Sequence, residues 1–139
     1  MRRTRIAALG AFSIAVGLAG SMVAAGSVTL DLSDFNADLM RQMDDTVRNL
    51  DSGIATRDAK SVATDARFIR ESLQSAQDYF SRKGQLEDAV RWASQGQALA
   101  DALAAAARAG DFETSLKKFD SLVKNCRACH DVYKPNDID

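Results

Sequence analysis

The sequence predicts an all-α protein: an antiparallel, up-down-up-down four-helix bundle. Three observations predict it. Apolar residues recur at steps of three and four along four segments, and strand-type alternation is absent. The only proline, Pro135, lies past the last of these segments. The breaks between segments are short, which makes consecutive helices antiparallel neighbours.

The 139-residue chain opens with Arg2, Arg3 and Arg5 and then runs uncharged from Ile6 to Leu30. A basic start followed by an apolar stretch rich in small residues is the pattern of an export signal. Val23-Ala24-Ala25 offers a cleavage site, so residues 1–25 read as a signal peptide and 26–139 as the mature domain. The competing reading is an uncleaved membrane anchor, because the uncharged run is long enough to span a bilayer. In both readings the folded domain lies in the periplasm. Removing residues 1–25 takes away three of the 18 basic residues and none of the 19 acidic ones, leaving a net charge near −4. That balance argues against nucleic acid as a partner.

The first helix is expected to start near Leu32 or Ser33, with Asp31, Ser33 and Asp34 as caps or first-turn acids. Its stripe is Met40, Met43, Val47, Leu50 and Ile54, widened by Phe35 and Leu39, and Gly53 and Thr56-Arg57-Asp58 mark its end. The second helix runs from Asp58 or Ala59 to Phe80 on Val62, Ala66, Ile69, Leu73, Ala76 and Phe80. Arg82-Lys83-Gly84 closes it. The third spans about Gln85 to Ala109. Its inner face (Leu86, Ala89 or Val90, Ala93, Gly96 or Gln97, Ala100, Leu103, Ala107) is small enough to approach a neighbour or a flat ligand closely. Gly110 ends it and Asp111 caps the fourth helix. On that last helix Phe112, Leu116, Phe119, Val123, Cys126, His130 and Tyr133 share one stripe, so Cys126 and His130 are expected to face inward.

Cys126-Arg127-Ala128-Cys129-His130 is a C-x-x-C-H run, the attachment signature of a c-type haem. Each thiol adds to a vinyl group of the porphyrin, and the adjoining imidazole binds the iron. These are the chain's only two cysteines and its only histidine. A structural zinc site wants four such ligands, and three are present. A thioredoxin-like site wants a preceding strand. A disulfide across this spacing closes too small a loop to contribute much. The bundle is therefore expected to enclose one covalently attached haem c per chain.

A C-terminal C-x-x-C-H on the last of four helices resembles the class II cytochromes c, the group of cytochromes c-prime and their low-spin relatives. Cys-Arg-Ala-Cys-His-Asp-Val-Tyr-Lys (126–134) is similar to the family's ending, with an aromatic residue three after the histidine and a basic residue four after it. The resemblance covers the mature chain in architecture and the last helix in specific motif. It implies that the residue on the far side of the iron comes from the first helix, and it places Met40 there, with Met43 one turn later. Each is otherwise an ordinary core methionine. It also implies that Lys134 lies beside the histidine-side face of the haem. The family commonly carries an arginine four residues before the far-side position, and this chain has Asn36 there.

Two functions follow from the resemblance. With His130 and Met40 on both sides of the iron, the protein is a low-spin single-electron carrier between periplasmic or membrane-bound redox proteins, and not an enzyme. With the far side open, it is a five-coordinate cytochrome c-prime binding NO or CO. A third reading is a haem-free helical interaction module. Family members often dimerise through the first two helices, so a homodimer is possible for this chain.

Overall fold

The structure is a computed structural model that describes residues 32–84 and 86–133. The signal-peptide and anchor readings of residues 1–25, and the positions of Lys134 and Pro135, lie outside the described residues. Four helices follow in order: α1 (Ala37–Ala55), α2 (Ala59–Lys83), α3 (Glu87–Arg108) and α4 (Phe112–Tyr133). No strand occurs among the described residues. The helices form a bundle in which α2 and α3 make the most extensive contact, and α1 touches α4 more lightly than it touches α2. Among the described residues no helix is long and apolar enough to cross a membrane.

Helix α1 starts later than the sequence suggests. Asn36 is its N-cap, its side chain accepting from the Leu39 amide at 3.1 Å. Residues 33–35 instead form a turn, in which the Phe35 amide donates to the Leu32 carbonyl at 2.9 Å. Asp34 is drawn away from the helix start by α2: it accepts from the Tyr79 hydroxyl at 2.6 Å and pairs with Lys83 at 2.9 Å. The position four before Met40 is thus occupied by a cap, which an arginine would not provide.

Gly53 does not end α1. It is buried inside the helix, where a Cβ would stand 3.0 Å from Val62 Cγ2, so it marks the close approach of α2. The chain leaves α1 through Arg57, which takes φ +58°, and Asp58 caps α2 by accepting from the amides of Lys60 and Ser61.

The α2 seam is buried along its whole length, from Val62 to Phe80. The small face of α3 is buried as well, and at Gly96 it lets its neighbours in: a Cβ there would meet Leu73 Cδ1 at 2.7 Å and Asn125 Nδ2 at 3.1 Å. Gly110 turns the chain at φ +79°, and Asp111 caps α4 through the Thr114 amide at 2.9 Å.

The buried face of α4 is rotated by about one position from the expected stripe. Ser115, Phe119 and Leu122 are buried, while Leu116 is 44% exposed. The cause is local. Ser115 is small, and its hydroxyl donates to the Leu103 carbonyl at 3.3 Å, so α4 comes close to α3 there and turns Leu116 outward.

Leu50, Val62, Ile69, Leu103 and Leu122 are fully buried. Each contributes about 1.5–3 kcal/mol relative to an exposed position. They join Ile54, Ala66, Ala100, Ala107 and Phe119 in one apolar cluster.

Candidate functional site

A cavity of about 340 Å³ lies where this cluster ends. Met40, Met43, Asp44 and Val47 of α1 form one wall. Val123, Asn125, Cys126, Arg127, Cys129 and His130 of α4 form another. Leu73, Ala76 and Phe80 of α2 and Ala89, Trp92 and Ala93 of α3 complete it. The volume falls in the range of small-molecule and cofactor sites, about 300–1,000 Å³. The expected haem-binding residues Met40, Cys126, Cys129 and His130 meet at this cavity together with Met43.

The rotation of α4 changes how they are presented. Cys126 and Cys129 are half-buried free thiols, whereas His130 is exposed at the cavity rim rather than facing inward with Phe119. Burial pushes the Cys126 thiol up from its ordinary value. Cys129 is pushed up to about 11, by burial first and then by the neighbouring Cys126 and Asp88. Both thiols are protonated near neutral pH and are slow nucleophiles unaided. Met43 is already packed into the core at 6% exposure, while Met40 is half-buried beside it.

Two polar contacts around the cavity were not legible in the motif. Asn125 Nδ2 donates to the Trp92 carbonyl at 2.8 Å, tying α4 to α3 beside the two cysteines. The Tyr133 hydroxyl donates to Asp88, fixing the last described residue of α4 to the first turn of α3. This bond holds the Asp88 carboxyl below the usual range. Burial, and then the Asp88 bond, pushes the Tyr133 phenol up to about 12. Arg127, a mere spacer in the motif, lines the cavity, as does Asp44. Only the aromatic residue three after the histidine hinted at any of this in the sequence.

A second, wider groove of about 650 Å³ runs along α2 and α3. Its lining includes Lys60, Arg67, Arg70, Asp101 and Arg108, with Arg70 paired to Asp101 at 3.2 Å, and it holds none of the motif residues. Ionic side chains of this kind are a solvated face. Among the described residues no group of three or more His, Cys, Asp or Glu is placed to hold a metal ion. Two thiols, an imidazole and a thioether around an apolar cavity are instead a donor set suited to a covalently attached porphyrin. No family model, curated protein or solved structure matches the chain.

Proposed function

We propose that this chain is a periplasmic c-type haem protein of the class II cytochrome c kind, acting as a single-electron carrier. The observation that carries the reading is the meeting of Cys126, Cys129, His130 and Met40 at one apolar cavity. Cys126 and Cys129 would hold the porphyrin by thioether bonds, and His130 would bind the iron from α4. Met40, half-buried at the cavity, would be the ligand from α1, whereas Met43 is 6% exposed and packs in the core. A bound haem supplies one-electron chemistry at its iron. The chain's part would be to hold and shelter it: Phe80, Trp92 and the alanines of α3 give the cavity apolar walls, and Asn125 ties α4 to α3 beside it. The antiparallel order of the helices belongs to this reading. It is supported by the links 56–58, 84–86 and 109–111, each too short for a crossover. Export rests on the pattern of residues 1–25, and the partners are other periplasmic or membrane-bound redox proteins.

A second reading is a five-coordinate protein binding NO or CO. It is favoured by the α1 wall, where Met40, Met43 and Val47 bring no hydrogen-bond donor in their side chains and the Asp44 carboxylate only accepts.

The test is the intact mass of the protein expressed with a haem-maturation system. The expected result is one haem per chain that survives acid-acetone extraction and is lost in Cys126→Ala/Cys129→Ala. A chain that emerges with no added mass contradicts both readings.

A further inference from the structure

All the tyrosines and the tryptophan of the chain stand in one row of rings beside the cavity. The sequence holds two tyrosines and one tryptophan, namely Tyr79, Tyr133 and Trp92. The Trp92 ring centroid is 6.2 Å from that of Tyr133, Tyr133 is 5.6 Å from Phe80, and Phe80 is 5.2 Å from Tyr79. Phe35 covers the far end, 4.8 Å from Tyr79 and 5.8 Å from Phe80. Trp92 and Phe80 line the cavity, while Tyr79 ends at exposed Asp34.

Apolar packing accounts for the rings, and phenylalanine would serve it as well. It does not account for the hydroxyls. Each phenol donates to an aspartate: Tyr133 to Asp88, and Tyr79 to Asp34 at 2.6 Å. A phenol gives up an electron readily only when its proton can leave at the same moment to a base already in hydrogen-bond contact. A carboxylate is such a base, and both of the chain's phenols have one.

We infer that Tyr133 and Tyr79 form a one-electron relay that draws oxidising equivalents out of the cavity to the surface. The inference rests on the haem reading above in its five-coordinate form, with the α1 side of the iron open, and the oxidant is hydrogen peroxide reacting at that haem. The balance closes on the two phenols. The O–O bond of peroxide breaks, two electrons and two protons are taken up, and two waters form. Each tyrosine supplies one electron and one proton, the proton passing first to its aspartate, and becomes a neutral radical. A small external reductant of the ascorbate class restores each phenol at the Tyr79 end. The relay thereby shields the haem and its neighbouring side chains from oxidation.

The experiment uses the ferric holoprotein. Its Soret band is recorded first, peroxide is added, and freeze-quenched samples are read by electron paramagnetic resonance while loss of the Soret band is followed. Wild type should show a tyrosyl signal that ascorbate removes. Tyr133→Phe should lose the early part of that signal and bleach faster, and Tyr79→Phe/Tyr133→Phe should lose it entirely. Asp88→Asn keeps a hydrogen-bond acceptor but not a base, and should slow radical formation. The phenylalanine variants keep every ring, and circular dichroism checks their fold. A preparation without a Soret band before peroxide overturns the haem reading and the relay together. An intact Soret band with no tyrosyl signal in wild type overturns the relay alone, as does unchanged signal and bleaching in the double variant.

Discussion

The apolar cluster and the cavity are built from the same four helices and filled in opposite ways. In the cluster, Leu50, Val62, Ile69, Leu103 and Leu122 leave no exposed surface. Around the cavity, Met40, Val47, Val123 and Cys126 are only partly buried and pack against the edge of that cluster. The closed region is held by large aliphatic side chains meeting one another. The open region is held by small residues, a methionine wall and polar ties at its margin. The difference locates stability in one region and chemistry in the other, and it predicts that they respond separately to substitution.

Leu103→Ala should break the closed region. It removes a fully buried side chain and should cost about 2–5 kcal/mol, read from urea unfolding. The cavity residues of the molecules that remain folded should keep their spectroscopic properties.

Tyr133→Phe attacks the open region at its polar tie and should cost about 1 kcal/mol, the value for a hydrogen bond to a charged group reduced by solvent at Asp88. Its pH dependence sharpens the comparison. Asp88 is lowered by the phenol, so its contribution is present above the ordinary carboxylate value of 3.8 and is lost as pH falls through the lowered one. Tyr133 is raised to about 12, so its contribution is present below the ordinary phenol value of 10.0 and is lost as pH rises towards 12. The phenylalanine variant should flatten both limbs of the wild-type stability profile. A profile unchanged at both ends would mean that the tie contributes nothing.

Met40→Ala should cost only about 1 kcal/mol, less than a core methionine, because the side chain is half-buried. Its effect on the holoprotein should be spectroscopic, a change from low-spin to high-spin iron. Leu116→Gln should change stability least, within about 0.5 kcal/mol, because Leu116 is 44% exposed. A large loss there would restore the unrotated face of α4.

The two regions also differ in how far the sequence revealed them. The α2 seam and the small face of α3 were legible because one residue type repeats at helical spacing with nothing competing. The start of α1 was misplaced because Asp31, Ser33, Asp34 and Asn36 are all credible caps. The choice of Asn36 depends on Tyr79 and Lys83, far along the chain, taking Asp34. Gly53 read as a terminator because a glycine's close contact with another helix leaves no mark in its own helix. The α4 face was misjudged because Ser115 counts as polar by residue type, though its hydroxyl is satisfied within the core. At the cavity the motif could be picked out by its chemistry, and the α1 methionines by the resemblance that the motif carries. Asn125, Asp88 and Arg127 could not, because their roles come from helices meeting rather than from local pattern.

The most direct test of the account is the visible spectrum of the purified, haem-matured protein, oxidised, reduced and then exposed to CO. Sharp split bands on reduction, insensitive to CO, are the predicted result for iron held by His130 and Met40. A broad reduced spectrum that shifts with CO would contradict ligation by Met40 and select the gas-binding reading. A protein with no haem absorption at all would contradict the central claim.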